Sequence, residues 1–493
     1  MKKILLELTV FTSGAVVMIY EIVGSRILGP YIGTSIFVWT SLIGIILGSL
    51  SLGYWLGGRM ADRKPSYKQL VWIIIVATFF IGLTLTTKEY LLGLMSRHLI
   101  GIRTQAVLST IILFAPASVF LGMVTPYAVR LKIRDIKSSG RTVGNLYAIS
   151  TIGSIIGTFM AGFVLIPFLG STNILFLIAA LLLAVALIIV ISRKLRSIPY
   201  VGVILLAFLA YQAYNYNKKD HNYLDIDTQY NRVFVYETTD WYTGKPIKLM
   251  RINNEYSSAM FLDSDSLVFP YSRYFRLIEH FIPGFEKVLI LGGAGYSYPK
   301  YYLNKYPEAY IDVIEIDPMI TEIARQEFNL KDNPRLRIYH DDARVFINRS
   351  EEKYDAILGD AFKSLYTIPF QLTTLEATER MYNMLNQGGL IIQNLHASLK
   401  GENNHFLKII YNTYQEVFPQ VYLFRVHKDR DDDYIQSVIL VALKSQTKPE
   451  FQSNDPELDA YLALRLDNPP VEGLPVLTDE YAPVEHYVGS TLW

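Results

Sequence analysis

Hydrophobic and polar positions divide the chain into two unlike halves. Up to about Tyr216 apolar residues come in long blocks with short polar connectors, and nearly all the acidic residues lie beyond that point. A helix crossing a bilayer needs about 20 mostly apolar residues, since each adds about 1.5 Å towards a hydrocarbon thickness of about 30 Å. Runs of that kind occupy 4–28, 36–58, 69–87, 105–127, 143–166, 173–192 and 198–216. One such run also fits a buried helix of a soluble protein; seven in succession predict a polytopic α-helical membrane domain over 1–216. A polar linker over 217–228 follows, and the period then changes. Alternating runs at 232–237 and 247–252, separated by Tyr242-Thr-Gly-Lys-Pro246, predict a hairpin within a small β subdomain over 229–286. From 287 onward strand-length apolar runs at 288–291, 311–316, 337–339, 354–358 and 389–393 alternate with helical stretches. That rhythm predicts a doubly wound α/β domain over 287–493, with its ligand at the strand C-termini.

Charge orients the first half. The connectors around Arg59 to Lys64, Arg130 to Arg141 and Arg193 to Arg196 are basic and fall on one side, which the positive-inside rule makes cytoplasmic together with Lys2 and Lys3. An odd number of spans then puts the C-terminal domain outside, whereas a nucleotide-using domain belongs inside. The two arguments conflict, and the cytoplasmic side is preferred here. Lys2 and Lys3 ahead of an apolar stretch resemble a signal peptide, but Glu21 and Arg26 follow without a small-residue cleavage pattern, so the first helix is read as retained. Glu21 and Arg26 are costly in lipid and are expected to face protein or water, paired with each other or with Arg59. Glycines four apart, at Gly44/Gly48, Gly53/Gly57 and Gly153/Gly157, predict close helix packing. The formal net charge of +1 excludes a global field that would recruit nucleic acid. The absence of cysteine removes disulfides, thiolate nucleophiles and Cys-ligated zinc, and His280, His340, His396 and His405 have no metal-ligand spacing, so no metal is expected.

Candidate chemistry gathers at four strand ends. Gly292, Gly293 and Gly295 form a glycine-rich turn after the first strand, where the absence of Cβ atoms lets a ligand approach the backbone. Glu315 ends the second strand, where a carboxylate can accept both hydroxyls of a ribose, and Asp317-Pro318 opens the next helix. Asp341, Asp342 and Ala343 follow the third strand, where an acid can accept from an adenine amino group and Asp341 can cap a helix. Asp360 ends the fourth strand, over the crevice where a reacting group would lie. Each feature alone also fits a turn, a solvated acid or a cap; together they predict a class I S-adenosylmethionine-type, Rossmann-like domain.

In the same order these residues resemble the polyamine aminopropyltransferases, the spermidine synthases, in a membrane-fused form, from about residue 229 to the end. The stretch Gln229-Tyr-Asn-Arg-Val-Phe-Val-Tyr-Glu237 is similar to the family's opening strand. Leu289-Ile-Leu-Gly-Gly-Ala-Gly295, Val313-Ile-Glu-Ile-Asp317, Asp342-Ala343 and Tyr354-Asp-Ala-Ile-Leu-Gly-Asp360 follow in family order. The resemblance implies that Glu315 holds the ribose, Asp342 the adenine and Asp360 the attacking amine, with Tyr271 in the substrate pocket. It implies no tightly bound cofactor: decarboxylated S-adenosylmethionine, or S-adenosylmethionine itself, enters as co-substrate, and family members are often homodimers. Three positions depart from the pattern. Gly295 and Lys363 stand where the family has aspartates, and Ser257 where it has a glutamine. Two lost carboxylates and a gained ammonium weaken a dication site. Aminopropyl transfer to an amine at the membrane is the expected function. The alternatives are a methyltransferase acting on a lipid or membrane-delivered acceptor, with Lys363 pairing an anion, and a nucleotide sensor gating a transporter.

Overall fold

The computed structural model describes residues 4–97, 101–133, 139–195, 208, 211, 223–361, 369–401, 404–469 and 471–489. Contacts divide the chain into two units, Met1–His221 and Asn222–Trp493. The first contains helices α1 (Leu5–Ile32), α2 (Ile36–Arg63), α3 (Tyr67–Arg97), α4 (Ile102–Leu113), α5 (Ala115–Lys132), α6 (Ser139–Met160) and α7 (Ile166–Arg193). Among the described residues four helices are long and apolar enough to cross a membrane, or five if a bent pair counts as one span. The bent pair is α4 with α5, which turn by 51°. Pro116, in the first turn of α5, has no N–H and disfavours a helical residue before it. At the break the carbonyl of Leu113 is satisfied from outside its helix, by Tyr20 Oη at 2.8 Å and Thr84 Oγ1 at 2.7 Å. The last of the four runs over Ser139–Arg193, 55 residues, about twice the length one span needs. A π-helical turn, Ala161–Leu165, joins α6 to α7, and Gly170 leaves the helical region with φ 67° and ψ 158°. This break separates the apolar runs 143–166 and 173–192, while the seventh run, 198–216, lies outside the described residues apart from 208 and 211.

The basic connectors gather at one end of this bundle. Lys132 at the end of α5 pairs with Glu7 at the start of α1, and Arg130 with Asp62 at the end of α2 at 3.3 Å. Arg193, ending α7, donates to the Tyr67 hydroxyl at the start of α3 at 2.6 Å. Two of the three glycine pairs are packing devices. A Cβ on Gly53 would strike the Val119 carbonyl and one on Gly57 would lie 2.7 Å from Met123 Cα, both on α5. Cβ atoms on Gly153 and Gly157 would likewise strike the α1 carbonyls of Phe11 and Ala15. Gly44 and Gly48 face open space, so for them the packing expectation is not met. Arg59 stacks 4.2 Å from the Trp55 ring centroid rather than reaching Glu21.

In the second unit strands β1 (Tyr223–Asp227), β2 (Arg232–Thr239), β3 (Pro246–Ile252) and β4 (Glu255–Phe261) form an antiparallel sheet in that order. Strand β1 falls within the stretch read as linker. Its short alternation carries little signal alone, and pairing with β2 from Tyr223↔Tyr236 to Asp227↔Arg232 is what makes it a strand. The large sheet contains β5 (Lys287–Leu291), β6 (Tyr310–Ile314), β7 (Leu336–Tyr339), β8 (Tyr354–Gly359), β9 (Leu385–Ala397), β10 (Gln420–Arg425) and β11 (Gln436–Leu443). Its order is β10-β11-β9-β8-β5-β6-β7, with β5 to β9 parallel and the last hairpin antiparallel at the edge. Helices cover both faces, so the central strands are apolar throughout: Val288, Leu289, Ile290 and Leu291 of β5 are all buried. The unit is a Rossmann-like α/β domain of the S-adenosylmethionine type preceded by a small β-sheet.

Candidate functional site

The strand order turns at β5 and β8, with β9 on one side and β6 and β7 on the other. In an open parallel sheet that reversal leaves a crevice at the strand C-termini. The loop after β5 and Asp360 after β8 meet there. Asp360 N–H donates to the Leu291 carbonyl at 2.9 Å, and a Cβ on Gly292 would lie 2.6 Å from the Asp360 carbonyl oxygen. Gly292 also has φ +102°, which side-chain-bearing residues rarely adopt, so conformation and close approach both require glycine. A recess lined by Leu291, Gly359, Ala361, Pro369, Gln393 and Leu395 opens at the same strand ends.

The Asp360 carboxylate is held from two sides. The Tyr271 hydroxyl donates to Oδ2 at 3.0 Å and Asn394 Nδ2 donates to Oδ1 at 3.2 Å. Tyr271 is carried by the short helix Pro270–Arg273 that follows the small sheet, and Asn394 by β9, where Gly359 pairs with Gln393. Burial pushes the Asp360 carboxyl up to about 7, against the downward pull of these two bonds. Burial first, and the neighbouring carboxylate second, raise the Tyr271 phenol well above its ordinary value. A carboxyl poised near neutrality can both accept and release a proton, as a general base must.

Glu315 follows β6 and is buried. Its Oε2 accepts the N–H groups of Gly293 at 3.0 Å and Ala294 at 3.1 Å, and its Oε1 accepts that of Asp317 at 3.0 Å. Burial raises this carboxyl and the three N–H bonds oppose the rise. A carboxylate offers about four acceptor sites; two hold the glycine loop, one holds the Asp317 N–H, and one is left. Asp342, rather than Asp341, caps the helix Ala343–Arg349: its Oδ1 accepts from Arg344 N at 2.8 Å and Val345 N at 3.3 Å. Asp341 instead pairs with Arg349. Ala343 is the first residue of that helix.

Asp317 and Gly295, grouped in the sequence with the nucleotide-binding residues, have other contacts. Asp317 is 0% exposed, capping the helix Pro318–Glu327 through Met319 N at 3.1 Å and bonding the Thr228 hydroxyl of the β1–β2 turn. A carboxylate so enclosed joins the small sheet to the large one. Gly295 turns its open side away from the crevice: a Cβ would lie 2.7 Å from Ser258 Oγ and 3.0 Å from Phe328 Cδ1. Ser258, not Ser257, lies against the glycine loop at Gly295 and bonds Ser297 Oγ at the start of the following helix at 2.8 Å, because successive strand residues point to opposite faces. A Cβ on Gly293 would lie 2.7 Å from Tyr296 Cζ. Lys363 lies outside the described residues. Sequence reasoning missed Asn394; the signal was an amide at strand period with Leu390 and Ile392, on a face that is otherwise apolar there.

Comparison with known proteins bears on this arrangement. The Spermine/spermidine synthase domain family matches residues 273–428. A polyamine aminopropyltransferase of Vibrio vulnificus is 31% identical over 229 residues, 44% of this chain and 75% of that one. Polyamine aminopropyltransferase 2 of Aquifex aeolicus is 22% identical over 404 residues, 78% of each chain, an alignment longer than the second unit and so reaching into the helical one. Among solved structures, a probable spermidine synthase from Corynebacterium glutamicum superposes with a TM-score of 0.44 at 23% identity, covering 52% of this chain and 96% of that one. With its glycine loop, Glu315 and Asp360 in family order and a relative of this identity covered over three quarters of its length, the chain belongs to the polyamine aminopropyltransferases, the spermine/spermidine synthase family.

Proposed function

We propose that the chain transfers an aminopropyl group from decarboxylated S-adenosylmethionine to an amine acceptor delivered at the membrane. The observation that carries this reading is the Asp360 carboxylate, held by Tyr271 and Asn394 beside the glycine loop. The amine nitrogen attacks the methylene carbon bound to sulfur. The C–S bond breaks, its electron pair neutralises the sulfonium, and methylthioadenosine leaves. The new secondary ammonium gives up its extra proton, with Asp360 as acceptor. Little covalent chemistry falls to the protein, so alignment of nitrogen, carbon and sulfur supplies most of the acceleration. Glu315 takes one ribose hydroxyl while anchoring the glycine loop. Asp342 takes the adenine amino group on the oxygen that carries no cap bond. Gly292 and Gly293 let the nucleotide lie against the backbone.

Full-length protein given decarboxylated S-adenosylmethionine and putrescine or spermidine should yield methylthioadenosine and an amine heavier by one aminopropyl group, both lost in Asp360→Asn. S-adenosylhomocysteine from S-adenosylmethionine, with no methylthioadenosine, would overturn the reading in favour of methyl transfer.

The second unit is proposed to face the cytoplasm. Its support is the gathering of basic connectors at the bundle end where α7 finishes, the end that positive-inside assigns to the cytoplasm. Because the chain has no cysteine, a single Ser266→Cys variant reports sidedness directly. Labelling by a membrane-impermeant maleimide only after cells are opened is the expected result; labelling of intact cells would refute it.

A further inference from the structure

Asn394 is a polar side chain where the fold asks for an apolar one. It lies on β9 in line with Leu390 and Ile392, both 0% exposed, and is itself 1% exposed. Its amide nitrogen donates to Asp360 Oδ1 at 3.2 Å, while its amide oxygen, equally enclosed, has no hydrogen-bond partner. A buried acceptor without a donor costs about 1–3 kcal/mol in general, so such a group calls for a reason.

The proton cycle of Asp360 supplies one. As a carboxylate it accepts; after taking the nucleophile's proton it must donate, and a fixed N–H facing it then becomes a repulsive neighbour. A side-chain amide presents N–H on one edge and a carbonyl oxygen on the other, and half a turn about its terminal torsion exchanges them. We propose that Asn394 is a positioning residue that serves both protonation states of Asp360, giving the carboxylate an N–H and the carboxylic acid an oxygen. The inference rests on Asp360 being the base of the aminopropyl transfer proposed above.

The other groups around Asp360 do not duplicate this role. Tyr271 bonds the opposite oxygen, Oδ2, and as a phenol kept protonated by burial remains a donor. His396, two residues further along the same face of β9, is pushed down to about 4 by burial and stays neutral through the working range. Glu315 is engaged with backbone N–H groups across the glycine loop, and the Arg273 guanidinium with the Leu267 carbonyl.

The test is the pH profile of kcat for the full-length protein and for Asn394→Leu, a near-isostere without polar atoms. Removing the N–H disfavours the charged form of Asp360, so the acid limb should move to higher pH by about one pH unit. At the plateau kcat should fall about tenfold, because the acid form loses its acceptor, with KM for the nucleotide unchanged. Asn394→Asp places a second carboxylate against Asp360 and should move the limb further in the same direction. A structural role alone would lower kcat and raise KM with the limb in place, and that result would overturn the inference. Should the leucine variant not fold, Asn394→Ser, whose hydroxyl can donate or accept, is expected to show a smaller shift of the same sign; no shift would refute the proposal. Turnover by the wild type with an unmoved limb in the variants sinks this inference alone, whereas a wild type that releases no methylthioadenosine with any amine overturns the transfer reading and this inference with it.

Discussion

Replacing Asp360 by asparagine should stabilise the protein while abolishing turnover, and the gain should depend on pH with a definite sign. Burial raises the folded-state carboxyl from its ordinary 3.8 to about 7. A raised carboxyl value means that the folded chain holds the proton more tightly than the unfolded chain. Folding is therefore favoured as pH falls through about 7, and the full cost of the buried charge is carried above it. About three pH units at about 1.36 kcal/mol each set a ceiling of about 4 kcal/mol. The carboxylate borders the crevice, and solvent screening lowers the expected figure to about 1–3 kcal/mol. Asparagine keeps the shape, and the Tyr271 hydroxyl can rotate to accept from the new amide, so no large packing change opposes the gain. For a domain of this size about 2–4 °C accompany each kcal/mol. Full-length Asp360→Asn in detergent should thus melt about 2–12 °C above wild type at about pH 8.5, by tryptophan and tyrosine fluorescence, and the gap should narrow as pH falls through about 7 towards about 4. A gap that stays constant across that range, or a variant that melts lower at alkaline pH, would refute the reasoning.

Three further perturbations separate packing and capping from ligand contact. Gly53→Leu should abolish monodisperse full-length protein on size exclusion, since its Cβ strikes the α5 backbone, while Gly48→Leu, facing open space, should leave the elution profile unchanged. Asp317→Ala should lose about 1–3 kcal/mol of stability through the lost cap and the Thr228 bond, seen as a lower melting temperature, with KM for the nucleotide unchanged where the protein remains folded. Glu315→Gln should raise KM for the nucleotide about tenfold or more, because an amide with one oxygen cannot accept both the two glycine-loop N–H groups and that of Asp317.

Much of the site was legible because strand ends in a doubly wound sheet are fixed by short apolar runs. Once 288–291 and 354–358 are read as neighbouring strands, Gly292 and Asp360 must come together, and they do. What the pattern could not separate was the use of each acid. Asp317 and Glu315 both follow the second strand, where the chain has left the sheet and its period no longer holds, and one caps a helix while the other lies under the glycine loop. Strand parity placed Ser258 rather than Ser257 against Gly295. Asn394 escaped because its importance is relational: an amide in β9 acquires meaning only when β9 is paired with β8, beside Asp360.

In the helical unit the limit is of another kind. Gly44/Gly48 and Gly53/Gly57 are the same four-residue spacing on one helix, and only the second pair meets a backbone. Spacing shows where close approach is allowed, whereas a partner decides where it happens. Connector charge carries more, because like charges must share an end whatever the packing. Lys132 reaching Glu7, Arg130 reaching Asp62 and Arg193 reaching Tyr67 bring the ends of α5 and α7 to the start of α1, the end of α2 and the start of α3. The passes from α1 to α7 therefore return the chain to the end at which it began. That shared basic end is the one positive-inside assigns to the cytoplasm, and it is what supports the proposal that the second unit faces the same side.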